Sequence, residues 1–373
     1  MAKYKVVFLG PEDDKLEYEQ AEMADLDVEF VKANPKSEGE AMEVVKDADA
    51  ILNRAGWGSE QFIKSTNQCK VLAVYSHGFN HIDAEAATEH GMMITNGAGM
   101  CAEEVSNQAV AFTLALNRQV VQYTLQLRDG GKWDGSEFSP IEPLDEQTVG
   151  IIGFGNIGRQ IARKLGGWRM DTIVYDPYCP PWLIKEYGVE QVWELNDIFK
   201  RSDYVITIVP LNPETHHMIG KEQFDLMKSS AYFINVCRGA VVVEKEMIDA
   251  LNNKKFRGAG LDVFEQEPAD PNNPLFSMPN VIVAPHVAGQ STRSAWLSRR
   301  RASQQVAAVL RGERPTALQN PSVTSPSKTT RVPLPAGIVA PVNENPRTAE
   351  LLVVIWNPAA AASPPEAFAT QAS

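Results

Sequence analysis

Residues 148–176 read TVGIIGFGNIGRQIARKLGGWRMDTIVYD. The stretch opens on a short apolar run, 149–152, suited to a strand buried on both faces of a parallel sheet. The run breaks into Gly153-Phe154-Gly155-Asn156-Ile157-Gly158, and a helical pattern follows at once. Ile157, Ile161 and Leu165 fall four residues apart and so share one helix face. A second short strand, 172–175, ends on Asp176. In such a pattern Gly153 serves the tight turn, Gly155 lets the backbone approach a pyrophosphate, and Gly158 lets the helix pack on the strand. The free N–H groups and the dipole at the helix N-terminus favour the pyrophosphate charge. Asn156 and Ile157, between the glycines, are therefore cofactor-binding candidates as well. Asp176, eighteen residues past Gly158, lies where a carboxylate takes the hydroxyls of an adenosine ribose. With strand before, helix after and acid at that distance, the stretch reads as a dinucleotide site.

The 373 residues give room for roughly two domains. A composition of 44% hydrophobic and 22% charged residues is that of a globular chain with a sizeable core. A net charge of −12 argues against nucleic acid or an acidic membrane surface as partner. Cys69, Cys101, Cys179 and Cys237 are scattered without pair spacing, which fits a reducing compartment rather than a disulfide framework or a zinc site, so no metal is expected. The apolar run in MAKYKVVFLG is too short for a signal peptide, and no segment approaches the ~18 apolar residues of a membrane span. The expectation is a soluble, cytoplasmic protein.

Residues 1–99 alternate short strands (6–9, 28–31, 50–52, 71–74, 93–95) with helices (12–24, 38–46, 83–90), implying a parallel sheet covered on both faces. No early glycine fingerprint appears there, so the dinucleotide belongs to the later unit. Residues 103–128 read as one long helix, ended by Asp129-Gly130-Gly131. After the fingerprint, strands at 149–152, 172–175, 204–208, 232–236, 259–263 and 281–283 make a six-stranded doubly wound domain, whose ligands gather at the carboxyl ends of the strands. A final helix, 295–310, carries Arg299, Arg300 and Arg301, read as a solvated face on an acidic protein. From 321 onward the chain is rich in Pro, Ala, Ser and Thr without periodicity, a disordered tail with one apolar run at 351–356.

Three residues past strand ends have the chemistry to act together. Arg238 follows FINVC, Glu267 sits in DVFEQEP, and His286 follows VIVAP. A guanidinium holds a carboxylate in bidentate fashion and polarises an adjacent carbonyl. Histidine is the natural acid or base near neutral pH, and a nearby carboxylate favours its charged form. Singly, these are an ion-pair partner, a turn acid before Pro268 and a core histidine. Together, beside a nicotinamide, they are what reduction of a 2-keto acid demands.

From about residue 5 to 321 the chain resembles the D-isomer-specific 2-hydroxyacid dehydrogenase family, through GFGNIG with Asp176, VPLNPETHHMIG, FINVCRGAVV, GAGLDVFEQEP and VIVAPHVAG. The resemblance implies an α/β fold of two doubly wound parallel-sheet domains, a flavodoxin-like substrate lobe and a Rossmann cofactor lobe, plus the disordered tail. It assigns residues 1–99 and 288–320 to the substrate-binding domain, 100–287 to the NAD-binding domain and 321–373 to the tail. It makes Arg238 the residue that binds and polarises substrate, Glu267 the acid that orients the histidine, and His286 the proton shuttle. It gives Asp262 to the nicotinamide carboxamide, and Pro210 and Cys237, in the second and third motifs, to the cofactor. NAD is preferred over NADP, because Asp176 would repel a 2′-phosphate and PYCPP after it offers no arginine.

The family's GxGxDxID substrate loop reads here Ser76-His77-Gly78-Phe79-Asn80-His81-Ile82-Asp83, departing at Ser76 and Asn80. His77 and Gly78 are its substrate-binding candidates, with Arg54 set to meet a distal substrate group and Asn96 beside the cofactor or hinge. The partner expected is a small 2-keto or 2-hydroxy acid; glyoxylate, hydroxypyruvate, 3-phosphoglycerate and lactate all fit. The family usually dimerises, so a homodimer is expected. YDPY, NPETHHMI and the Pro/Ala-rich tail are also similar to the C-terminal-binding-protein corepressors, which implies the alternative of an NAD(H)-sensing scaffold.

Overall fold

Short apolar runs with no polar alternation suit strands covered on both faces, and the computed structural model, which describes residues 2–323, builds two parallel sheets from them. The run at 351–356 and the rest of the tail from 324 lie outside the described residues. Val323, inside the expected tail, is buried against the body.

The first sheet comprises β1 (Tyr4–Leu9), β2 (Val28–Ala33), β3 (Ala50–Asn53), β4 (Val71–Val74) and β5 (Met93–Thr95), in the order β2-β1-β3-β4-β5. Val7, Leu9, Ile51, Leu72 and Val74 face one apolar cluster with Phe62 and Ile63. Val6, Phe8, Leu52 and Ala73 face another with Val306 and Leu310 of the closing helix Thr292–Arg311. The chain therefore returns to the first sheet after finishing the second.

The second sheet comprises β6 (Thr148–Ile152), β7 (Asp171–Tyr175), β8 (Glu190–Gln191), β9 (Tyr204–Thr207), β10 (Tyr232–Asn235), β11 (Gly258–Leu261) and β12 (Val281–Val283), in the order β12-β11-β10-β9-β6-β7-β8. It has seven strands rather than six, because β8 is a two-residue edge strand too short to show a period. Strands are added outward from β6 in one direction and from β9 in the other. The loops after β6 and β9 therefore diverge, and a crevice opens at their carboxyl ends.

Three further expectations change. The first helix is only Glu17–Glu22, because the residues ahead of it form a turn in which the Asp14 amide donates to the Pro11 carbonyl (3.4 Å). The long helix is two, Ala102–Arg118 and Val120–Arg128, broken at Gln119 with φ of 53°. The side chain of Gln119 anchors the break by donating to the Tyr232 hydroxyl (2.8 Å). The basic triplet is a solvated face only at Arg300, whose side chain is 51% exposed. Arg299 pairs with the fully buried Glu19 (2.8 Å), Arg300 with Glu22 (2.5 Å), and Arg301 donates to the Ala98 carbonyl. Among the described residues no helix is long and apolar enough to cross a membrane, and no cluster of potential metal ligands occurs.

Candidate active site

Arg238 is presented by a turn at the end of β10. The Asn235 side chain takes the Cys237 amide on its oxygen (3.1 Å) and donates to the Arg238 carbonyl (3.0 Å), so the chain reverses and the guanidinium leaves the sheet edge. Gly239 allows the loop after β11 to cross this turn, since a methyl there would lie 1.8 Å from the Phe264 carbonyl carbon. That loop carries Glu267. One of its oxygens accepts from the Phe264 amide (3.0 Å), and the other meets His286 Nδ1 at 2.6 Å. An ionised carboxylate only accepts, so Nδ1 carries the proton and Nε2 is the ring atom left for exchange.

His286 sits at φ of 53°, with its amide bonded to the Asp262 carbonyl (2.8 Å). The fully buried Asp262 carboxylate accepts from the amides of Val287 (3.0 Å) and Ala288 (2.9 Å) and so fixes the turn that aims the imidazole. Burial raises the Asp262 carboxyl above its ordinary range, opposed by those two amides. A pocket of about 710 Å³ opens beside the pair, lined by Phe264, Pro268, Phe276, Val283 and Pro285 with Glu267 and His286 on its wall.

The 76–83 loop faces Arg238 from the first sheet. A methyl at Gly78 would fall 1.6 Å from Arg238 Nη2, so any side chain here would push the guanidinium aside. The Ser76 hydroxyl donates to the Gly78 carbonyl (2.6 Å) and Asn96 Nδ2 to the His77 carbonyl (2.6 Å), so Asn96 braces the loop. Asn80, one of the loop's two departures, spans the cleft: its oxygen accepts from Arg238 Nε (3.4 Å) and its nitrogen donates to the Leu211 carbonyl (3.0 Å). Desolvation first, and the Arg238 charge second, hold the His77 and His81 imidazoles below the ordinary histidine range. Arg54 is engaged elsewhere, in an ion pair with Asp14. Asn80, His81 and Asn235 escaped the reading of the sequence; only the motif position of Asn235, just before Val236-Cys237-Arg238-Gly239, was a signal.

The glycine turn fits a dinucleotide. Gly153 has φ of +98°, and a methyl at Gly158 would sit 2.2 Å from the Gly153 carbonyl oxygen. A methyl at Gly155, by contrast, would meet nothing within 4 Å, which leaves the N-terminus of helix Asn156–Gly166 open for a phosphate. Asp176 closes the site: one oxygen accepts from the Phe154 amide (2.7 Å), the other from Tyr178 (2.9 Å) and Cys179 (3.0 Å). Pro210 follows β9, where its carbonyl accepts from Thr215 Oγ1 (2.6 Å). Cys237 is buried, and burial raises its thiol.

The model of the D-isomer-specific 2-hydroxyacid dehydrogenase NAD-binding domain matches residues 110–288. The glyoxylate reductase of Korarchaeum cryptofilum is 36% identical over 294 residues, 78% of this chain and 88% of that protein. The chain belongs to the D-isomer-specific 2-hydroxyacid dehydrogenase family. These dehydrogenases are NAD-dependent oxidoreductases that interconvert a D-2-hydroxy acid and its 2-keto acid. The D-3-phosphoglycerate dehydrogenase of Methanocaldococcus jannaschii is 38% identical over 275 residues; this chain spans 52% of that protein's length. Among solved structures, the holo form of Rhodotorula graminis D-mandelate dehydrogenase superposes with a TM-score of 0.78 at 25% identity, covering 88% of this dehydrogenase and 100% of that chain. Aquifex aeolicus D-lactate dehydrogenase with NAD and lactic acid gives 0.72 at 27% identity, covering 83% and 96%.

Proposed function

We propose that this dehydrogenase reduces a small 2-keto acid of the glyoxylate or hydroxypyruvate kind, with Arg238, Glu267 and His286 as its catalytic residues. The observation that carries the reading is the 2.6 Å contact between His286 Nδ1 and Glu267, at the same strand edge as Arg238. NADH, held by the turn from Gly153 to Gly158 with Asn156 and Ile157, supplies the hydride when bound. Arg238 and the backbone of His77 and Gly78 take the substrate carboxylate, and the guanidinium polarises the adjacent carbonyl. His286 gives the proton on Nε2 to the carbonyl oxygen, and the Glu267 carboxylate stabilises the imidazolium that precedes this transfer. Asp176 takes the adenosine ribose hydroxyls, Asp262 the nicotinamide carboxamide through lone pairs not used by Val287 and Ala288, and Pro210 and Cys237 line the cofactor.

In this reading residues 1–99 and 288–320 form the substrate domain and 100–287 the NAD domain. The protein works as a homodimer in the cytoplasm, for which family habit, the charge and the unpaired cysteines are the support. A panel of keto acids followed by NADH absorbance tests the activity. Turnover of glyoxylate or hydroxypyruvate that disappears in His286→Ala is the expected result. Tight NADH binding with no turnover of any keto acid would favour the corepressor-like scaffold.

A further inference from the structure

Substrates of this family differ in what they carry beyond the reacting carboxylate, and a second anionic group needs a second cation. The basic groups at the carboxyl edge of the first sheet include Lys32, Arg54, His77 and His81. Arg54 directly follows β3, whose last residue, Asn53, lies between Leu9 of β1 and Val74 of β4. Its loop supports the loop that meets Arg238. A methyl at Gly56 would lie 3.8 Å from the His81 ring, and one at Gly58 3.0 Å from Ile82 Cα. Arg54 therefore stands one loop away from the Gly78–Arg238 contact.

It is not free to take one. Its guanidinium is ion-paired with Asp14, whose side chain is only 17% exposed while that of Arg54 is 46% exposed. Lys32 is drawn to the same residue, donating from Nζ to the Asp14 carbonyl (2.6 Å). His77 and His81 are held toward their neutral forms. None of these four is left as a free cation, and the substrate faces Arg238 and His286.

Resting on the dehydrogenase reading above, we propose that Asp14 is a specificity-determining residue: by occupying Arg54, it confines the cleft to 2-keto acids whose one anionic group is the reacting carboxylate. Neutral imidazoles beside Arg238 then suit an unsubstituted or hydroxylated third carbon, as in glyoxylate or hydroxypyruvate. A phosphate or second carboxylate there finds Arg54 already neutralised.

The test compares kcat/KM for hydroxypyruvate and 3-phosphohydroxypyruvate in wild type, Asp14→Asn and the double variant Asp14→Asn/Arg54→Met. Wild type should prefer hydroxypyruvate. Asp14→Asn should shift the ratio toward the phosphorylated acid on the order of tenfold, the worth of one charge-assisted contact, mainly through KM. The double variant should lose that shift. A wild type that prefers the phosphorylated acid, or a folded Asp14→Asn with an unchanged ratio, overturns the proposal. Should Asp14→Asn fail to fold, Arg54→Met alone decides: an unchanged ratio supports an arginine already neutralised, and a selective loss of phosphorylated substrate refutes it. A wild type that binds NADH but reduces neither acid, nor any other keto acid, overturns the dehydrogenase reading and this inference with it.

Discussion

Gly78 and Arg238 belong to different sheets and 160 positions of sequence separate them, yet a methyl on the glycine would lie 1.6 Å from the guanidinium. The guanidinium is further held by Asn80 Oδ1 at 3.4 Å and by the carbonyl of Cys237 at 2.5 Å. The 76–83 loop and the Arg238 guanidinium are thus closely fitted to each other.

Gly78→Ala should therefore displace Arg238 rather than unfold the chain. We expect kcat/KM for keto-acid reduction to fall by about a hundredfold, as when a charged contact made in the transition state is lost. NADH binding, measured by fluorescence, should be unchanged because the glycine turn lies elsewhere. Normal turnover in Gly78→Ala would show that Arg238 has slack the contact does not suggest.

Glu267→Gln keeps the shape of the His286 partner and removes its charge. The carboxylate that meets His286 Nδ1 at 2.6 Å is then lost, so kcat/KM for keto-acid reduction should fall. His286→Ala should remove about a hundredfold or more of turnover, the usual worth of a general acid. NADH should still bind both variants. A wild-type kcat/KM in Glu267→Gln together with near-normal turnover in His286→Ala would mean that the proton comes from another group.

Asp176 accepts three backbone amides, from Phe154, Tyr178 and Cys179, so its charge is fixed where the adenosine ribose would lie. NADH should bind well ahead of NADPH in the wild type, and Asp176→Ala should narrow the gap while weakening NADH itself, since the turn loses its support. Equal affinity of the wild type for both cofactors sinks this reading.

His77 and His81 are both lowered by desolvation and by Arg238. Their folded forms bind a proton less readily than the unfolded chain, whose histidines titrate near ~6.5. The unfolded state therefore takes up more protons as pH falls through about 6.5, and stability falls with it. Denaturant melts at pH 7.5 and 5.5 should show a smaller acid loss for His77→Gln/His81→Gln than for wild type. An identical loss in both proteins would place these imidazoles in ordinary solvent.

The sequence by itself determined the class of the fold, the glycine turn and the three residues of the proposed chemistry. Those features are local: an apolar run too short for a helix, glycines at positions where backbone or phosphate must come close, and charged residues in the loops that follow strand ends. It also carried β3, β4 and β10 nearly to the residue, because strands buried on both faces leave an unbroken apolar run. Only the tertiary structure decided the rest. The break at Gln119 depends on a hydroxyl from Tyr232, more than a hundred residues away. Arg299 was read as solvated because nothing near it in the chain reveals Glu19. Arg54, placed by its sequence position to meet a distal substrate group, pairs with Asp14, a partner that reaches it only after β1 and β3 pair side by side. Local pattern reports what a residue can do; which partner it meets is set by the packing of distant segments.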